Sequence, residues 1–406
     1  MKSLKKGDTI WSIPFIIMLS INLFNSAGQY MIGSALPKYS NFLGAAPVII
    51  GLTTSAFSIS ALLVRPVTGS ALDYFRKKNL LVISLAITTL MYTTCAFTDN
   101  VKVLVATRLI DGIGASVKIP ICLALATEFL PEEKVGSGIG IYSIAQAIAS
   151  ALGPGISLGM IERFGYRAAL LFIAGVALVA LLLALSIRTV PYTKPSYPFK
   201  ISLKSVFAKE AMLPALIAVT LAMPYACTMT YLPIIGELHS IANIGLYFTV
   251  YSVVLFIARP LCGKMLDKVE FTRILIPSLL SYALSMVLIS RSTALPGFLF
   301  AAVFSALGYG VAHPCLQSLC MKWVPKEKRG ASGNTYYIGV DIGHFGGTLL
   351  TGQLVTSLLV SRGEAEAYSF AFMLLLVPIA ISLFITVLAG RMRRKSNGKR
   401  KEGISA

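Results

Sequence analysis

The sequence predicts an all-α membrane protein with twelve transmembrane helices in two pseudo-symmetric six-helix bundles. Three observations carry this expectation. The 406 residues are 56% hydrophobic and only 13% charged, with a mean hydropathy of +0.76, too apolar for a water-soluble chain of this length. Apolar stretches of about 20 residues, the length that crosses a bilayer core, recur along the whole chain. One phrase is also spelled twice, "RPVTGSALD" from Arg65 and "RPLCGKMLD" from Arg259, 194 residues apart.

In order, the apolar segments fall at 11–36, 47–72, 79–97, 102–129, 136–161 and 167–188, then at 211–236, 244–266, 272–291, 296–322, 331–360 and 367–390. The opening "MKSLKKGDTI" is basic and leads into an apolar run too long for a signal-peptide core, so the first segment is expected to be retained. The longest polar break, Arg188 to Glu210, carries three prolines and five basic residues and reads as a cytoplasmic linker. The expected organisation is a first bundle over 1–188, a linker over 189–210, a second bundle over 211–390 and a basic tail over 391–406.

The formal net charge of +19 raises the question of nucleic acid, and its distribution answers it. With both termini cytoplasmic, the inner segments hold 26 of the 36 Lys and Arg, the external loops six and the helices four. That asymmetry is the positive-inside rule, so no nucleic-acid partner is expected. The six cysteines all fall within apolar segments and show no ligand spacing, so neither disulfides nor a metal site is expected, and no cofactor is implied.

The 194-residue offset also maps Pro131 onto Pro325, Gly136 onto Gly330 and Gly153 onto Gly347 without a change of register. The chain is a tandem duplication. An even number of segments separates the copies, so both face the same way, as in parallel repeats related by an axis along the membrane normal.

Four stretches resemble the major facilitator superfamily, in particular its bacterial drug:proton antiporter-like branch, over nearly the whole chain. "GSALDYFRKK" from Gly69 resembles the loop motif between helices 2 and 3, with Tyr74 where Arg is usual and Arg76 where Gly is usual. "RLIDGIGAS" from Arg108 resembles the helix 4 motif of an arginine followed by spaced glycines. "ASALGPGISLG" from Ala149 resembles the Gly-Pro antiporter motif of helix 5, with Ser157 and Leu158 in place of a glycine pair, and "GLYFTVYSVVLFIARPLCGKMLD" from Gly245 resembles helix 8 and its following loop. The resemblance implies a carrier whose helices 1, 4, 7 and 10 line a central cavity, working as a monomer.

Segment 4 carries Arg108, Asp111 and Lys118 at i, i+3 and i+10, one face of a helix. Charges in a membrane helix face a wet interior or a partner. Arg108 and Asp111 either neutralise each other and brace the bundle or take part in proton coupling. Lys118, about 10 Å along the axis from Asp111, is expected to need another partner, either a substrate anion or a facing polar group. In segment 11, "GVDIGHFGGTLL", Asp341, His344 and Thr348 share a face, while Gly339, Gly343, Gly346 and Gly347 invite close helix packing. Asp341 and His344 are either proton carriers or packing residues.

Substrate-binding candidates are Asn22, Asn25 and Gln29 of segment 1, His313 and Gln317 of segment 10, Lys118, and Tyr231 of segment 7, with Tyr225, Tyr142 and Gln146 as weaker ones. By resemblance, Gly69 and Asp73 belong to a cytoplasmic latch, with Glu128, Arg76 and Lys77 as natural partners of Asp73. Gly153, Pro154 and Gly155 interrupt regular hydrogen bonding and shed side chains, which is expected to permit a bend and close contact with the other half.

The leading expectation is export of a small organic solute in exchange for protons across a cell (plasma or inner) membrane, with protons, lipid and a small molecule as partners. Lys118 and Arg108 favour an anionic or zwitterionic substrate, such as a metal chelator or metabolite. Uptake of a nutrient on the same fold is the alternative. A membrane-embedded enzyme or a receptor is remote: no nucleophile with a nearby base appears, and no sizeable soluble domain.

Overall fold

The structure, a computed structural model, describes residues 10–131, 135–187, 207–266, 269–324 and 329–402; for 69–70, 72–73, 135–137, 139–140, 143, 259–266, 321, 329–330 and 392–402 only the backbone is described. Among these residues all regular structure is helical, as a chain that must satisfy its own backbone groups in lipid requires. The helices are α1 (Ile13–Phe42), α2 (Pro47–Tyr74), α3 (Lys77–Ala96), α4 (Val101–Glu128), α5 (Val135–Ser186), α6 (Met212–Leu238), α7 (Leu246–Leu266), α8 (Phe271–Arg291), α9 (Leu295–Lys322), α10 (Arg329–Arg362), α11 (Glu364–Leu374) and α12 (Leu376–Glu402). Nine of the described helical spans are long and apolar enough to cross a membrane.

Local chemistry sets the boundaries. Ser12 caps α1 by accepting a hydrogen bond from the Phe15 amide at 3.3 Å, with Pro14 in the first turn. Asn100 caps α4 in the same way through the Lys102 amide. α5 runs through two of the expected segments, and the chain turns between them at Gly165, whose φ of 80° only glycine adopts without strain. Gly363, at φ 73°, makes the corresponding turn between α10 and α11. α1 extends six residues past the expected end, where the Tyr39 hydroxyl donates to Asp99 at 2.7 Å and ties the last turns to the loop before α4. The backbone of α12 runs through Glu402.

The chain divides into two compact units. Unit 1 is 1–206 together with Met229–Ile234 of α6, and unit 2 is Phe207–Thr228 with Ile235–Ala406. Unit 1 has an apolar core of Phe15, Met18 and Ile21 from α1, Leu81 and Leu85 from α3, Ile121 and Leu125 from α4, and Ala180 and Ala184 from α5. In lipid such packing rests on close van der Waals fit and buried hydrogen bonds, not on escape from water. One such bond joins the Ser34 and Ser157 hydroxyls of α1 and α5 at 2.9 Å, so the serine at a family glycine position ties two helices together.

Gly153 does make a close approach, but a Cβ there would meet Tyr30 at 3.0 Å and the Ala27 and Met31 backbone at 3.4 Å, all on α1 of its own unit. The close approach at Gly153 therefore lies within its own unit. Backbone dihedrals also stay helical through Pro154 and Gly155, and Gly165 is the non-helical residue of α5.

In unit 2 the small residues of α10 act as expected, with one exception. Gly339, Gly343 and Gly347, at i, i+4 and i+8, lie against Ala215, Val219 and Met223 of α6 so closely that a Cβ would collide with backbone, whereas Gly346 has nothing within 4 Å. Gly343→Val is expected to force α6 and α10 apart at a cost of about 1–3 kcal/mol, typical of overpacking. The check is thermal unfolding of the purified protein, with Gly346→Ala as the substitution that leaves the melting temperature unchanged.

Candidate functional site

Two groups of polar side chains stand out inside the helices, one in each unit. The first is built on α4. Arg108, Asp111 and Lys118 are 5%, 0% and 1% exposed. Arg108 Nη1 donates to Asp111 Oδ2 at 2.7 Å. Its Nε donates to the Thr53 carbonyl of α2 at 3.3 Å, and the guanidinium carbon lies 4.5 Å from the centre of the Phe57 ring, a cation–π contact. Arg108 reaches α2 because Gly112 lets the two helices close: a Cβ at Gly112 would strike the Phe57 carbonyl and the Ser60 hydroxyl.

Lys118 was expected to need a partner besides Asp111, a substrate anion or a facing polar group; the structure supplies the facing group in Thr88, and also brings Asp111 within reach. Its Nζ lies 3.6 Å from Asp111 Oδ1 and donates to the Thr88 hydroxyl of α3 at 2.6 Å. The axial rise separates the two Cα atoms by about 10 Å. Helical side chains, however, lean toward the N-terminus, so the long lysine stem folds back over the turns below it and closes the gap. Thr88 completes the cluster by donating to Asp111 Oδ1 at 2.8 Å. The Ser84 carbonyl lies 3.1 Å from the same hydroxyl and competes for its one hydrogen. Two cations and one carboxylate leave a formal charge of +1 buried in the unit.

The second group lies on α6, α8, α9 and α10 of unit 2. Tyr225 and Tyr309 stack with ring centres 4.1 Å apart at 10°. His344 lies 5.8 Å from Tyr225 at 26°. His313 sits between Tyr309 and Tyr336, 5.4 Å from each. Tyr282 backs Tyr309 at 6.0 Å, a distance that Gly308 permits by letting α8 and α9 touch. Gln317 Nε2 donates to the Tyr337 hydroxyl at 3.0 Å, and the Tyr336 hydroxyl donates to the His313 carbonyl at 3.0 Å. Asp341 is 7% exposed and shares a face of α10 with Tyr337 and His344, at i, i−4 and i+3.

The other expected residues divide. Asn22 donates to the Tyr142 carbonyl at 2.9 Å and accepts from Ser26, so it joins α1 to α5. Asn25 is buried with its side-chain oxygen unpartnered, and Gln29 is half-buried. Tyr231 is fully buried and donates to the Pro47 carbonyl at 3.3 Å within unit 1. Tyr142 is buried and Gln146 exposed.

For the latch, the side chains of Gly69 and Asp73 lie outside the described residues. Glu128, expected beside Asp73, pairs with Lys77 across the ends of α3 and α4. Arg76 is exposed at the start of α3. Lys78 donates to the carbonyls of Leu185 and Ile187 and so caps the end of α5. Among the described residues no group of three or more His, Cys, Asp or Glu is placed to hold a metal.

Membrane-length helices that keep charge and polar rings inside the protein define the class, a polytopic membrane protein. The family follows from comparison: residues 18–239 and 214–405 match the model of the Major Facilitator Superfamily, and the chain belongs to it. It is 25% identical to the multi-drug resistance efflux pump PmrA of Streptococcus pneumoniae, over 75% of this chain and 79% of that one. With the staphylopine export protein of Staphylococcus aureus it shares 21% identity, over 85% and 90% of the two chains. A solved structure of a variant of the nucleoside transporter NupG superposes with a TM-score of 0.78 at 11% identity, over 92% of this chain and 99% of that one, a likeness of fold.

Proposed function

We propose that the protein exports a small organic solute in exchange for protons by alternating access, and that the solute is anionic or zwitterionic. The observation that carries the charge preference is the buried cluster of Arg108, Asp111 and Lys118, whose excess of one positive charge an anionic group of the substrate neutralises. Export is supported by the relatives named as an efflux pump and an export protein. Asp111 acts as the counter-ion that keeps both cations in place while the site is empty. A substrate carboxylate draws Lys118 away from Thr88 and takes over that charge. The positive end of a zwitterion competes with a proton for Asp341, so loading one expels the other, which is the condition for exchange.

In this reading the termini are cytoplasmic, the protein lies in the cell membrane as a monomer, and the Lys77–Glu128 pair and the Lys78 cap brace the inner ends of unit 1 as its helices rock. The test compares, by mass spectrometry, small molecules in cells and medium with and without the gene. A compound that builds up inside and vanishes outside on deletion supports export; one left behind in the medium reverses the direction. Uptake is the second reading, favoured by Ser157, which stands in place of an antiporter glycine and is committed to a helix contact. Lys118→Gln is expected to weaken binding of the compound so identified by about ten-fold or more, the scale of one charge-assisted hydrogen bond. Equal affinity would make Lys118 structural.

A further inference from the structure

At one end of unit 2 a membrane-length helix does not stop where its apolar span stops. The span that includes α12 ends at Arg391, yet the backbone stays helical through Glu402. The exit point is fixed: a Cβ at Gly390 would meet Thr272 Cγ2, in the first turn of α8, at 2.6 Å. Phe271, next to Thr272, packs edge-on against Trp323 at the end of α9, with ring centres 5.7 Å apart. Tryptophan favours the boundary between hydrocarbon and water, so the start of α8, the end of α9 and the end of the apolar span share the headgroup level.

Basic residues gather at that level. Arg273 is exposed on the first turn of α8, Lys322 on the last turn of α9, and Arg391 where α12 leaves the apolar span. Arg394 and Lys395 follow Arg391 at i+3 and i+4, register positions within an arc of about 100°. By register Arg394 also falls on the side of α12 that Gly390 places against α8. Glu270, just before α8, offsets one of these five charges. Further out, Lys399, Arg400 and Lys401 are followed by Glu402, the one acid of 391–402. Like charges at i and i+4 along Arg391, Lys395 and Lys399 disfavour a helix in water, and Gly398 disfavours it further. A helix of this sequence calls for negative charge from outside.

From this placement we infer that the start of α8, the end of α9 and the outer turns of α12 form a docking surface for the headgroups of anionic phospholipids, centred on Arg273, Arg391, Arg394 and Lys395. The inference goes beyond transport and depends on neither the substrate nor its direction. Lipid phosphates are the anions at hand: Lys395 lies about 6 Å of axial rise past Arg391, within one Debye length of the bilayer surface. Lys399 to Lys401 lie about 12–15 Å past it and contribute less while the helix runs straight on. Between Arg391 and Glu402 the one apolar residue is Met392, so the segment has no apolar face to bury among acyl chains. Its attachment is electrostatic, at roughly five-fold in affinity per basic residue held near the surface.

The test is hydrogen exchange of the backbone amides of 391–402 in the full chain, held in nanodiscs of phosphatidylcholine alone or with phosphatidylglycerol added. Exchange is expected to be about ten-fold or more slower in the anionic discs, and the difference to vanish in high salt. The triple variant Arg391→Gln, Arg394→Gln and Lys395→Gln is expected to lose the difference. The triple variant Lys399→Gln, Arg400→Gln and Lys401→Gln, which removes as much charge farther out, is expected to keep most of it. All six positions lie at or beyond the end of the apolar span, and the comparison of the two discs with the wild type needs no variant. Equal exchange in the two discs, or equal loss in the two variants, would overturn the inference. So would the same slowing in phosphatidylcholine discs with inorganic phosphate or an RNA oligonucleotide alone. Both leaflets of a nanodisc have one composition, so no readout depends on which side α12 ends, and failure here leaves the export reading untouched.

Discussion

Asp111→Ala is expected to be the most damaging single substitution in unit 1, costing about 3–5 kcal/mol of stability, the range for a buried charge stripped of its partner. The carboxylate is shared: Oδ2 takes Arg108 at 2.7 Å, and Oδ1 takes Thr88 at 2.8 Å with Lys118 at 3.6 Å. Removing it leaves two cations with a formal charge of +2 inside helices where neither reaches water. Lys118→Met removes the surplus charge and leaves the Arg108–Asp111 pair neutral, so its cost is expected to be much smaller. Thermal unfolding in nanodiscs checks the order, wild type and Lys118→Met above Asp111→Ala. Equal melting temperatures for the two variants would mean that the cluster does not work as one charge-balanced unit.

The second large effect concerns transport. Asp341→Asn is expected to abolish gradient-driven movement of substrate while leaving its binding detectable, because the amide keeps the size and polarity of the side chain but carries no exchangeable charge. Asp341 is a buried acid of α10, one helical turn from His344. Unchanged driven transport in this variant would remove Asp341 from the coupling and leave Asp111 as the acid to test.

Much of this architecture is legible in the sequence because lipid imposes a simple rule, about 20 apolar residues per crossing. The segments expected at 102–129, 272–291 and 296–322 match α4, α8 and α9 to within a residue or so. Arg108 and Asp111 are legible as a pair because three residues is less than one helical turn. Lys118 is not, because a spacing in sequence fixes where Cα atoms lie but not how far a four-carbon side chain leans back.

Thr88 is invisible for another reason: one hydroxyl in an apolar segment looks like any threonine bonded to its own helix, and only the approach of α3 to α4 gives it Asp111 and Lys118 as neighbours. The ring stack is hidden likewise. Tyr225, Tyr309 and His344 are spread over three helices, and no spacing within one helix announces a contact across three. The glycines of α10 signal close packing in advance, yet the sequence does not say that α6 is the partner or that Gly346 points elsewhere.

The central claim is exchange of solute for protons, and everted membrane vesicles test it most directly. With the compound identified by the deletion experiment supplied outside and the vesicle interior made acid, the wild type is expected to accumulate it, and a protonophore or Asp341→Asn is expected to stop this. Accumulation that persists after the gradient is collapsed, or that occurs only in right-side-out vesicles, would contradict proton-driven export.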